Sequence, residues 1–362
     1  MRPPHIAVLG YYGLGNCGDE AVLAGLLHGL REQAPHIQVT VLSANPRATS
    51  QLHQVRSVHR IRRLLPTIAG CDALVAGGGS LLQDITSQRS LVYYVFALKA
   101  ALALGKKVVL CGQGLGPLVT PRSRRMAASV LNRAHAITLR DPDSLELLRE
   151  IGVSHPRVEL CADLAFLLPP PPPQPPSTLL GEAGRSLGLA LRPWNIQPDD
   201  EDAWRTAGRR ASVLCEALGS STRLNVRLVV MQEPWDRMLA NIAAALSVWP
   251  TVVEPQRTPT EMTAAFAAYR LVVAMRLHAL IFAAAADVPS VALSYDPKVA
   301  SFMQTVGRGE WVLPHDAPPE QVADAARRAY SYAEPYAPGE IWRMRRLAER
   351  NLRVLLEVLE QA

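Results

Sequence analysis

Leu271-Val272-Val273-Ala274-Met275-Arg276-Leu277-His278-Ala279-Leu280, continued by the apolar run at 281–286, decides how this chain is read. Residues 271–273 form a short apolar run of the kind that makes a strand covered on both faces, and the Ala-rich segment after His278 reads as a buried helix. Arg276 and His278 therefore stand on a strand-to-helix turn, where α/β proteins place their chemistry. Ser290-Val291-Ala292-Leu293 reads as a second strand, followed by Ser294-Tyr295-Asp296-Pro297-Lys298. In a parallel sheet its C-terminal end lies beside the first, which carries Lys298 toward Arg276 and His278. Two permanent cations and an imidazole then share a crevice at a helix N-terminus that already favours anions. Surface charges and a helix cap are the plain alternative for any one of the three, but their matched positions speak for a site.

Composition narrows the possibilities. At 362 residues, 49% hydrophobic and 19% charged, the chain has room for two globular domains with full cores. The net charge of +6 favours acidic ligands. Its basic residues are scattered among few aromatics, so nucleic acid is not expected as a partner. The 5 cysteines, Cys17, Cys71, Cys111, Cys161 and Cys215, are odd in number and contain no CxxC pair. That argues against a disulfide framework or a zinc site and fits a reducing cytoplasm. Met1-Arg2-Pro3-Pro4 runs straight into a strand, and the longest apolar stretch, 91–104, is broken by Lys99, so neither secretion nor membrane insertion is expected.

Outward from the organising stretch, the βα rhythm fills the whole chain. Residues 6–9 read as a strand, 10–18 as a glycine-rich loop and 19–33 as a helix. The loop contains Gly13, Gly15 and Gly18 at dinucleotide-fingerprint spacing, yet the helix then opens on Asp19-Glu20, which would repel a pyrophosphate. Asn16, Asp19 and Glu20 suit sugar hydroxyls better, with Asp19 as a simple N-cap the alternative. Strands at 38–42 and 73–76 follow, the latter ending in Gly77-Gly78-Gly79-Ser80-Leu81-Leu82-Gln83-Asp84, a candidate anion nest or a tight packing turn. A strand at 107–111 closes on Gly112-Gln113-Gly114-Leu115-Gly116-Pro117. Another at 136–139 closes on Arg140-Asp141, where Arg140 either meets substrate or pairs with the neighbouring carboxylates.

PPPPPQPP at 169–176 suits an extended linker and divides the chain nearly in half. Strands ending in Arg192-Pro193-Trp194, in Gln232, in Met275-Arg276 and in Ser294-Tyr295 resume beyond it. We therefore expect two Rossmann-like doubly wound α/β domains facing a cleft: residues 1–168, a linker at 169–177, residues 178–335, and a C-terminal amphipathic helix at 336–362 free to close on either.

Taken in order, the motifs from Gly10-Tyr11-Tyr12-Gly13 to Glu20, Gly77 to Asp84, Gly112 to Pro117, Arg140-Asp141, Met275 to His278 and Ser294 to Lys298 resemble those of the polysaccharide pyruvyl transferase family, most closely its CsaB-type bacterial members. The resemblance implies a GT-B-like pair of domains that moves a pyruvyl group from phosphoenolpyruvate onto a sugar of a cell-wall or cell-surface polysaccharide precursor. The product is a ketal, and the acceptor is typically lipid-linked. The family's Arg-Leu-His falls on Arg276, Leu277 and His278, its Lys on Lys298, and its N-domain Arg on Arg140.

That chemistry agrees with the residues. A carboxylate and a phosphate close together need several fixed cations, for which Arg140, Arg276 and Lys298 are the candidates, with His278 and Arg276 catalytic. His278 would move the proton. Asn16, Asp19, Glu20 and Gln83 are the acceptor-side candidates. No cofactor and no metal are expected, because no His/Asp/Glu cluster has ligand spacing. Two basic clusters, Arg60, Arg62 and Arg63 with Arg122, Arg124 and Arg125, are solvated ends or a peripheral contact with anionic lipid at the inner membrane face.

Two competing functions are a GT-B nucleotide-sugar glycosyltransferase and a non-catalytic sugar-binding protein. The first often carries Glu-x7-Glu, which Glu254 and Glu261 miss by one residue. The second usually lines its site with aromatics, which make up only 6% here, with Trp194, Tyr11 and Tyr12 the candidates for stacking.

Overall fold

A computed structural model of the protein describes residues 2–85, 87–170, 185–332, 336 and 339–361. The chain divides into two compact units, Met1–Leu168 with Trp342–Ala362, and Pro169–Ile341. From residue 171 onward the proline-rich linker lies outside the described residues.

The first unit is built on seven parallel strands: β1 (His5–Leu9), β2 (Gln38–Ser43), β3 (Arg56–His59), β4 (Ala73–Gly79), β5 (Lys107–Gln113), β6 (Ala136–Leu139) and β7 (Arg157–Leu160). Their order across the sheet is β3-β2-β1-β4-β5-β6-β7. The order reverses between β1 and β4, the switch point at which doubly wound sheets bind ligands. Helices α1 (Cys17–Gln33), α2 (Pro46–His53), α3 (Leu64–Gly70), α4 (Gln88–Ala103), α5 (Pro121–Leu131) and α6 (Pro142–Glu150) form the connections.

On one face Leu74, Leu110 and Ile137 of the strands pack in a single core with Ile68 of α3, Leu91 and Leu98 of α4, Val130 of α5 and Leu148 of α6. The other face carries α1 and the short turn Leu164–Leu167. Gly25 is required there: a Cβ on it would stand 2.0 Å from the Leu164 carbonyl oxygen.

The second unit repeats the design with β8 (Ser186–Ala190), β9 (Asn225–Leu228), β10 (Thr251–Val253), β11 (Leu271–Ala274), β12 (Ser290–Ser294) and β13 (Val312–Pro314). All pair in parallel, in the order β10-β9-β8-β11-β12-β13. Its helices are α7 (Glu201–Thr222), α8 (Trp235–Leu246), α9 (Pro259–Ala268), α10 (Leu277–Ala285), α11 (Pro297–Thr305) and α12 (Pro319–Tyr332). β11 is buried along its whole length and pairs Ala274 with Ala292 of β12, so the ends carrying Arg276 and Tyr295 are neighbours. Both sheets thus have the Rossmann strand order, and the GT-B-like fold class expected from sequence holds.

From Trp342 onward the last helix, α13 (Glu340–Glu360), is part of the first unit rather than a separate element. Asn351, fully buried, donates to the Ala162 and Ala348 carbonyls at 3.0 and 2.9 Å and accepts from the Thr138 hydroxyl. Around it Lys107 Nζ donates to the Val358 carbonyl at 2.8 Å, and Glu159 of β7 pairs with Arg350 at 2.6 Å. Arg350, then Arg157, holds the Glu159 carboxyl below the usual range. Among the described residues no helix is long and apolar enough to cross a membrane.

Candidate active site

At the switch point of the second sheet, the ends of β8, β11 and β12 carry Arg192, Arg276 with His278, and Tyr295 with Lys298. Arg276 is the N-cap of α10 in extended backbone, yet its side chain caps nothing. It is buried, and it reaches α8, where Nε donates to Asp236 Oδ2 at 3.1 Å, Nη2 donates to Asp236 Oδ1, and Nη1 donates to Gln232 Oε1 at 3.1 Å. Asp236 also accepts from the Met231 and Gln232 backbone N–H groups at 3.2 and 3.0 Å. Burial pushes its carboxyl up, against the opposite pull of Arg276 and those two amides.

This departs from the expectation of an open cation. Three of the five guanidinium N–H groups are engaged and the charge is compensated, so Arg276 ties the β11–α10 turn to α8 and leaves two N–H groups for anything else. In our reading it is a positioning residue.

His278 lies half-buried in the first turn of α10. Lys298 lies in the first turn of α11, whose N-cap Asp296 accepts from the Lys298 backbone N–H. The Lys298 ammonium pairs with the Asp296 carboxylate at 2.8 Å and stands 5.9 Å from the Tyr295 ring centre. Arg192, which sequence reasoning did not single out, completes the set. Its Nη1 donates to the Tyr295 hydroxyl at 2.9 Å, and its guanidinium stands 5.3 and 5.1 Å from the Trp194 and Tyr295 rings. Among the described residues it has no carboxylate partner. Its signal was available, a cation ending the first strand of the second βα series beside a tryptophan.

The glycine-rich ends of the first unit form a network of their own. Asn16, not Asp19, caps α1, its side chain accepting from the Gly18 N–H at 3.0 Å. Glu20 departs from its expected role on the acceptor. It is buried, and its two oxygens are taken by the Gly13 N–H at 2.7 Å and the His53 ring at 2.7 Å. Removing it leaves both unsatisfied, so Glu20→Ala should lower stability by about 1–3 kcal/mol in urea unfolding. Tyr12, offered above as a stacking surface, is buried and donates to the Gly77 carbonyl. Gly78 and Gly79 adopt φ of 71° and 76°, and a Cβ on Gly79 would come within 2.9 Å of Asp19 Oδ1. Asp19 and Gln83 are half-buried at this rim.

Arg140 takes the ion-pair alternative. It is buried, with Nη1 donating to Asp163 at 2.7 Å, Nη2 to Ser80 Oγ at 3.1 Å, and Nε 3.8 Å from Asp141. Burial works against its charge, and Asp163 and Asp141 outweigh it and raise its pKa. Gly114 makes room for this arrangement, since a Cβ there would stand 2.8 Å from Arg140 Nη2. An anion reaching Arg140 would therefore meet a cation already compensated by two carboxylates.

The carboxylates weighed for a glycosyltransferase are likewise engaged. Glu254 pairs with Arg227 at 2.8 Å and Arg257 at 2.7 Å, and Glu261 closes a capping box with Thr258 at the start of α9.

Comparison with known proteins places this geometry in context. The chain is 22% identical to the amylovoran biosynthesis protein AmsJ of Erwinia amylovora, over 84% of this chain and 86% of that one. Among solved structures it resembles S. aureus MnaA in complex with UDP, with a TM-score of 0.67 at 10% identity over 99% of this chain and 97% of that one. UDP-GlcNAc 2-epimerase of Methanocaldococcus jannaschii is similar at a TM-score of 0.65 and 11% identity, over 98% and 99%. At such identities the likeness concerns the fold alone. The model of the polysaccharide pyruvyl transferase family matches residues 16–297, from the cap of α1 to the start of α11. The chain belongs to the polysaccharide pyruvyl transferase family.

Proposed function

We propose that this transferase of polysaccharide biosynthesis moves the pyruvyl group of phosphoenolpyruvate onto two hydroxyls of one sugar in a polysaccharide precursor, releasing phosphate. The supporting observation is the set of adjoining strand ends in the second sheet, where His278 follows β11, the strand between those that lead to Arg192 and Lys298, while Asp236 holds Arg276, and with it the turn, in place. The donor needs charge at its carboxylate and phosphate, and Arg192 and Lys298 supply it, with Arg276 holding the turn between them.

In the reaction the donor methylene takes a proton and becomes a methyl group, the central carbon forms bonds to two sugar oxygens, and the carbon–phosphate oxygen bond breaks. Of the two hydroxyl protons displaced, one balances that taken up at the methylene and the other leaves with phosphate. Imidazole gives and takes protons near neutral pH, so His278 is the group for the first transfer. The acceptor, lipid-linked or free, would meet Asp19, Gln83 and the cap at Asn16. Glu20 and Arg140 are left out of these roles because their partners lie within the protein. Reaction at the cytoplasmic face of the membrane, with the exposed Arg62, Arg63, Arg122 and Arg125 near anionic lipid, belongs to the same proposal.

Lys298 has one carboxylate partner and is a quarter exposed, so losing it removes one charge-assisted contact to the donor. Lys298→Ala should weaken phosphoenolpyruvate binding about tenfold or more. To test the function itself, the protein is incubated with phosphoenolpyruvate and a panel of sugar acceptors. Phosphate release that depends on the acceptor, with a pyruvate ketal on the sugar by mass spectrometry, is expected. Phosphate release indifferent to acceptor, with no pyruvylated sugar, would overturn it.

A further inference from the structure

Beneath the strand ends of the second sheet lies a cavity of about 190 Å3. Its walls are apolar: Leu214 of α7, Leu239 of α8, Met275 after β11, Leu293 of β12 and Val322 of α12. Three charged or titratable side chains line it, Arg192, Arg210 and His315, and no acidic residue does. Arg210 is exposed, so it stands where the cavity opens to solvent, and it donates to the Ala317 carbonyl at 3.3 Å. Among the described residues neither arginine meets a carboxylate. Trp194, also in the lining, carries the Arg192 guanidinium near its ring.

An apolar cavity of roughly 150 Å3 is dry and large enough for benzene. One somewhat larger, opening between cations with no counter-charge, matches a ligand that is hydrocarbon at one end and anionic at the other. Phosphoenolpyruvate has no such hydrocarbon end, so the cavity is not explained by the proposed donor.

We propose that this cavity binds an amphiphilic anion, with a chain of roughly six to eight carbons inside and a phosphate or carboxylate head held by Arg192 and Arg210. The inference shares Arg192 with the proposed donor site, whereas Arg210 belongs to the cavity alone and carries its test. Hydrocarbon burial and charge then contribute separately, which makes them separable by experiment.

The full chain is titrated calorimetrically with propyl, hexyl and octyl phosphate, and with octanoate, octanol and inorganic phosphate. Affinity should rise about fourfold per methylene from propyl to hexyl phosphate, as expected for moving each from water. Inorganic phosphate should show no comparable binding here, and octanol should bind at least about tenfold more weakly than the charged octyl compounds. The tighter of octyl phosphate and octanoate identifies the head that the arginines prefer. Arg210→Ala, at an exposed position, should weaken that ligand about tenfold. Ala207→Leu, projecting from α7 into the cavity, should flatten the dependence on chain length. Affinities equal along the series, or insensitive to Arg210→Ala, would overturn the proposal.

Discussion

His278→Ala should lower turnover by about 10²–10⁴, the usual cost of removing a general acid or base, while phosphoenolpyruvate affinity measured without acceptor changes far less. The separation follows from position. His278 sits in the first turn of α10, whereas Arg192 and Lys298, proposed to hold the donor by charge, arrive from the neighbouring strand ends. Steady-state kinetics and calorimetry on the same preparation distinguish the outcomes. If binding and turnover fall together, His278 is an anion ligand and the proton comes from another group.

Arg276→Ala should cost about 3–5 kcal/mol of stability, because it strips a carboxylate 3% exposed to solvent of its only cation among the described residues. Asp236 would retain the Met231 and Gln232 amides. A second variant separates this from the loss of a catalytic contact. Replacing both partners, as in Arg276→Met with Asp236→Leu, removes the uncompensated charge and should recover much of the stability lost in either single variant. Urea unfolding midpoints read this directly. Full stability in Arg276→Ala would mean that the pair does not hold the turn, and a direct donor contact would then be the better description of Arg276.

The βα alternation, and with it the fold class, was legible because central strands of a parallel sheet are apolar on both faces, as 271–274 and 73–76 are. Four strands escaped that reading: β3, β7, β10 and β13. Each lies at a sheet edge, is three or four residues long and is partly exposed, so Arg56 or Glu159 can sit where an inner strand would need an apolar residue.

Site residues were legible as types at strand ends, but their partners were not. Arg276 meets Asp236, 40 positions earlier, and Glu20 meets His53, 33 positions later. Only the packing of α8 against the β11–α10 turn, or of α2 beside α1, decides such pairings. Arg192 could have been read from its place after the first strand of the second series, but its bond to Tyr295, 103 positions away, could not.

Donor identity is tested most directly by calorimetric titration of the intact protein with phosphoenolpyruvate and, separately, with UDP-glucose. The cations at the ends of β8, β11 and β12 predict saturable binding of phosphoenolpyruvate, weakened about tenfold or more by Lys298→Ala, and no binding of the nucleotide sugar. Binding of UDP-glucose with no response to phosphoenolpyruvate would contradict it.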